Sequence, residues 1–108
     1  MAEESIINSV KKYLQLLTQR GIPVQYGVLF GSWAKGRPHE WSDVDVLVVS
    51  PHFDGERRRE DINLLWRTAA HTDSRIEPIP VGQIQYESDD SSPIIEVARR
   101  EGLVIALS

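Results

Sequence analysis

Residues 43–49, Asp-Val-Asp-Val-Leu-Val-Val, narrow the fold of this chain more than any other stretch. Val44–Val49 is rich in β-branched residues and reads as a buried strand, yet it is led by two negative charges. Side chains alternate along a strand with period two, so Asp43 and Asp45 share one face while Val44 and Val46 share the other. At about 5 Å and an effective dielectric of about 20 the two carboxylates repel by roughly 3 kcal/mol. The fold must screen that charge, protonate it or offset it with something positive. A divalent cation is the economical answer, because Mg²⁺ favours one or two carboxylates together with substrate phosphates. The plain alternative is a pair of acids at an exposed strand end.

The rest of the chain supplies the partners for that strand. Ile6, Ile7, Val10, Tyr13, Leu14 and Leu17 recur at helical spacing, predicting a helix over 3–18 that Gly21 and Pro23 stop. A strand is expected at 24–30 and a second amphipathic helix over 55–71, with Ile62, Leu65, Trp66 and Ala69 as its buried stripe and Arg57, Arg58 and Arg59 on its solvated first face. Residues 74–81 read as a third strand, and Pro78 and Pro80 assign it to an edge because each lacks a ladder donor. Ser92 is placed to cap a further helix, Pro93 to begin it and Gly102 to end it, before a last strand over 103–107. The resulting order, α-β-(short α)-β-α-β-α-β, is that of an α/β domain on a mixed sheet.

Between the first two strands lies "GSWAKGRPHEWS", residues 31–42. Gly31 follows the strand directly, and Ser32 is placed to cap about one turn of helix that Gly36 ends. Free N–H groups at such a start, with the serine hydroxyl, form an anion cradle, and Lys35 or Arg37 adds a point charge. By itself Gly-Ser is also an ordinary strand-to-helix turn. Its weight comes from the order: a phosphate cradle, ten residues, then a metal-type acidic pair. Trp33 and Trp41 flank this segment, where packing on the sheet competes with stacking on a base. His39, His52 and His71 share no ligand spacing for zinc.

Length and composition limit the alternatives. At 108 residues a single complete domain spanning 1–108 is expected, without room for a separate substrate domain. A net charge of −4 disfavours free-standing nucleic-acid binding through phosphate neutralisation. The absence of cysteine removes disulfides and thiolate metal sites and fits a cytoplasmic setting. The acidic N-terminus is unlike a secretory leader, and no apolar run approaches the roughly 18 residues of a membrane span.

Gly31-Ser32, ten residues, then Asp43-Val44-Asp45 resembles the signature of the minimal nucleotidyltransferases, the smallest members of the DNA polymerase β-like nucleotidyltransferase superfamily. The resemblance extends through most of the chain from about Val24. It implies a nucleotidyltransferase (polymerase β-like) fold, α/β in the broad sense and α+β in detail, with a mixed sheet of about four strands flanked by helices. It further implies that Asp43, Asp45 and a third acid, matched here by Glu77, are catalytic and bind two Mg²⁺ ions, with Mn²⁺ as a substitute. Gly31, Ser32 and Lys35 would hold the phosphates of a nucleoside triphosphate. The superfamily's third acid is often Asp, so Glu77 departs from the pattern by one methylene and by preceding Pro78; a structural Glu77, exposed or paired with Arg75 or with one of Arg57, Arg58 and Arg59, is the competing reading. The implied reaction is attack of an acceptor hydroxyl on the α-phosphorus, releasing pyrophosphate, with ATP and AMP transfer expected. The implied acceptor lies on a helical HEPN-type partner protein, or the chain forms a homo-oligomer. A binding module that masks a partner as antitoxin or scaffold is the alternative. A glycosyltransferase using Asp-x-Asp is disfavoured, since the chain lacks length for its two halves.

Overall fold

The structure is a computed structural model that describes residues 4–31, 43–89 and 91–107. The elements run α1 (Glu4–Gln19), β1 (Tyr26–Phe30), β2 (Val44–Val49), α2 (Arg59–Thr72), β3 (Ile76–Val81), α3 (Gln83–Ser88), α4 (Pro93–Glu101) and β4 (Leu103–Ala106), with a 3-10 turn at Pro51–Phe53. The four strands form one mixed sheet in the order β3-β2-β1-β4. β1 is antiparallel to both β2 and β4, whereas β2 and β3 are parallel. A parallel pair needs a crossover, and α2 provides it.

Helices cover both faces of the sheet. On one, α1 contributes Ile6, Val10, Tyr13, Leu14 and Leu17, which pack with Leu65 and Ala69 of α2 against Leu29, Val44, Val46, Val48 and Ile76. On the other, Tyr86 of α3 and Ile95 and Ala98 of α4 close over Val28, Leu47, Val49 and Val81. Covering on both sides explains why β2 carries apolar residues on both faces along most of its length. Among the described residues no helix is long and apolar enough to cross a membrane.

Most expected elements form, and the differences have physical causes. β3 is an edge strand, as its prolines require. Ser92 Oγ accepts from the Ile95 N–H, with Pro93 opening α4 and Gly102 closing it. The expected short helix after Gly31 lies outside the described residues. α3 has no periodic signal over its six residues; its start is held from far away, by Asp54 carboxylate oxygens that accept the Ile84 N–H at 3.1 Å and the Gln85 N–H at 3.3 Å. Trp66, assigned to the buried stripe of α2, is 49% exposed. The stripe is centred on Leu65, Thr68 and Ala69, and Trp66 is rotated off it by about 100° from Leu65.

Tyr13 links the two helices of the first layer. Its hydroxyl donates to the Leu65 carbonyl at 3.0 Å, and burial pushes its ionisation far above the usual range, so it remains a neutral donor. Tyr13→Phe, which keeps the ring and removes the bond, is expected to lower stability by about 1 kcal/mol. Tyr13→Ala, which also opens a cavity, is expected to cost about 3–5 kcal/mol. Urea unfolding of both variants checks the ratio.

Candidate active site

The acids gather because the parallel register places them together. Asp45 is opposite Glu77 of β3 on one side and Phe30 of β1 on the other. Residues paired in this way point to the same face, and Asp43, two positions before Asp45, joins them. That face is the one α3 and α4 cover further along, at Leu47, Val49 and Val81. The covering thins towards the start of β2: Leu47 is fully buried, Asp45 and Glu77 are half-buried and Asp43 is exposed. The sheet thus supplies a rigid floor whose open end bears carboxylates.

Their mutual influence is electrostatic. Partial burial pushes the Asp45 carboxyl above the ordinary carboxylate range and the charge of Asp43 adds to this, while a hydrogen bond with Glu77 pulls it back. Glu77 is raised by desolvation, then by the charge of Asp43, by a hydrogen bond with Asp43, and by both the charge of Asp45 and a hydrogen bond with it. The competing assignment of Glu77 to an arginine pair does not match these contacts. Arg75 engages Asp73, and Arg57 reaches the Phe53 carbonyl and Gln85 Oε1.

Gly31 meets the cluster from β1. Its φ is +82°, and a Cβ there would lie 2.8 Å from Asp45 Oδ2. Glycine is required twice over, by the left-handed backbone and by the carboxylate against it. Ser32 and Lys35, the other expected phosphate contacts, lie outside the described residues, as do Trp33, Arg37, His39 and Trp41.

A turn not singled out in the sequence sets the register. Asp73 Oδ1 accepts from both the backbone N–H and Nε of Arg75 at 3.0 Å, and Oδ2 accepts from Nη2 at 2.8 Å. The Arg75 carbonyl so positioned accepts the Val44 N–H at 2.8 Å, between the two aspartates. Asp-Ser-Arg immediately before a strand is the available signal, since Asp bonds its own backbone two residues on.

The three carboxylates supply the hard oxygens that Mg²⁺ takes, and a cation would relieve the repulsion that raises Asp45 and Glu77. The residues thus fit the ion in kind. Among the described residues, however, no three His, Cys, Asp or Glu side chains already surround a common point able to hold one.

The mixed sheet, with helices on both faces, carries acids on adjacent strands at one end. The chain belongs to the nucleotidyltransferase domain family, whose model matches residues 8–98. The resemblance carried by Gly31-Ser32 and Asp43-Val44-Asp45 is borne out, and the domain is of an enzyme class that transfers nucleotidyl groups. No curated protein matches the sequence. Solved structures share the fold at low identity. A toxin-antitoxin structure with AMP-PNP superposes with a TM-score of 0.61 at 20% identity, covering 91% of this chain and 73% of its own. A candidate nucleotidyltransferase from Sulfolobus solfataricus gives 0.61 at 15%, covering 91% and 77%. A toxin-antitoxin MntA-HpeT mutant with two Asp-to-Glu changes gives 0.61 at 18%, covering 91% and 73%.

Two outcomes are expected. Gly31→Ala should destabilise the domain by about 1–2 kcal/mol from backbone strain alone and displace the Asp45 carboxylate, which thermal unfolding and a crystal structure of the variant will show. Arg75 holds the Asp73 carboxyl below its ordinary value, so its contribution is complete above the unfolded pKa of about 3.9 and disappears as pH falls through the lower folded value. Because Arg75 is 41% exposed, Asp73→Asn should cost only about 1 kcal/mol at pH 7. The gap to wild type should close on acidification below about pH 4, as read by urea midpoints across pH.

Proposed function

We propose that this chain transfers a nucleoside monophosphate, AMP from ATP, to a hydroxyl on a partner protein, using Mg²⁺ held by Asp43, Asp45 and Glu77. The observation that carries the reading is the shared face on which Asp43, Asp45 and Glu77 meet, with Gly31 against Asp45. When bound, the metal ions would supply charge stabilisation at the phosphates and at the attacking oxygen. Asp43 and Asp45 hold and orient that charge from a strand that cannot shift without breaking two ladders. Gly31 leaves room for phosphate oxygens beside the backbone, and Ser32 and Lys35 complete their contacts. The new bond joins the acceptor oxygen to the α-phosphorus as the bond to the bridging oxygen breaks, and pyrophosphate leaves. The acceptor's proton passes to the Glu77 carboxylate, which burial and the charges of Asp43 and Asp45 raise above its ordinary range. Two of the similar structures support the finer detail: one contains AMP-PNP, and in the other two aspartates one residue apart, the spacing of Asp43 and Asp45, are changed to glutamate. Both are toxin-antitoxin structures, which supports a protein partner; we take it to be a helical HEPN-type protein, with a homo-oligomer as the other arrangement, in a cytoplasmic setting.

A masking module that acts as an antitoxin without turnover is the second reading. It is favoured by the lack, among the described residues, of a ready-made three-acid ion seat.

ATP with Mg²⁺ or Mn²⁺ at about 100 times its Kd should stabilise the chain by about 2.7 kcal/mol, read as a rise in melting temperature. Asp43→Asn combined with Asp45→Asn should remove the rise; a wild-type response from the double variant rules out this site. Transfer of labelled AMP that depends on Asp45 separates the enzyme from the masking module, for which partner binding is indifferent to Asp45.

A further inference from the structure

The two edges of the sheet are treated differently. β3, at one edge, carries Pro78 and Pro80, which cannot donate to an added strand. β4, at the other, pairs only with β1 and reads Leu-Val-Ile-Ala, without proline or charge. Among the described residues, what limits this edge is its length of four residues. Leu103 is 39% exposed and Val104 57% exposed, on opposite faces of the sheet. An edge with open main-chain groups and apolar side chains on both faces is a template for another strand.

The surface beside that edge has a definite charge. A hollow is formed by all of β4 together with Ile7 and Lys11 of α1. A second, lined by Lys12, Gln15, Leu16 and Gln19, follows along α1, and Gln15 Nε2 donates to the Leu107 carbonyl at 2.8 Å, tying the helix to the end of the strand. Among the described residues, the charged lining of the two hollows is Lys11 and Lys12, without a carboxylate, in a chain of net charge −4. Neither lysine has an ion-pair partner among the described residues.

We propose that β4 and the neighbouring side of α1 dock an extended acidic segment of a partner protein, which adds to the sheet beside β4 and sets a carboxylate against Lys11. The inference goes beyond nucleotidyl transfer and uses none of the residues assigned to it. A second copy of this chain is the wrong occupant. Lys11 lines the hollow beside β4, so the matching edge of a second copy brings a further lysine and not a carboxylate. An acidic strand from a partner protein fits the edge, because its main chain satisfies the open ladder groups while its carboxylates answer the lysines.

The probe is a synthetic peptide, acetyl-Thr-Val-Glu-Val-Glu-Val-Thr-amide, and its counterpart with Lys in place of Glu. The acidic peptide is expected to bind at millimolar concentration or below and to slow amide exchange within β4. Lys11→Glu, a surface change, should weaken it by about fivefold and turn the preference to the lysine peptide. The same variant should retain the Mg²⁺- and ATP-dependent rise in melting temperature, so failure of the docking edge and failure of the transfer site are read separately. Unchanged exchange in β4, equal binding of both peptides, or a concentration-dependent dimer that protects β4 without peptide would each overturn the proposal.

Discussion

The parallel pairing of β2 with β3 is the constraint on which the remaining architecture depends. It places Glu77 beside Asp45, and neighbouring carboxylates repel unless something intervenes. A lone strand cannot hold such a cluster. What holds it is the two-ladder support of β2, the Asp73–Arg75 turn that starts β3 in register, and two buried layers that prevent either strand from sliding. A slip of one residue would turn Glu77 to the face covered by α1 and α2 and Ile76 to the acids. The apolar alternation of β3 thus protects the site as well as the core.

The same sheet separates two tasks. Its acidic end lies where the covering by α3 and α4 thins, so charges that could not be tolerated among Leu47 and Val49 are kept at the open end. Its β4 edge lies on the other side of β1, where apolar side chains and lysines meet without carboxylates. The first is the site we assign to nucleotidyl transfer. The second follows from main-chain groups that the fold leaves open and from local charge of sign opposite to that of the whole chain.

Legibility in the sequence followed the length and locality of each signal. α1 and α4 were readable because their stripes run for several turns and their boundaries are marked by glycine, proline and serine. β2 was readable from its composition, and the edge position of β3 from its prolines. α3 was not, since its start depends on Asp54, which is 30 residues from Ile84. Trp66 misled because an apolar residue next to a buried stripe satisfies the helical count without facing the core.

What the sequence determined by itself was therefore the set of elements and the chemistry of the acidic pair: alternation alone puts Asp43 and Asp45 on one face, whatever lies around them. Only the tertiary structure decided that Glu77 is their neighbour, that Gly31 presses on Asp45 and that Arg75 answers Asp73. The reason is that periodicity is a property of one segment, whereas register and contact are set jointly by segments that meet only when the core between them closes.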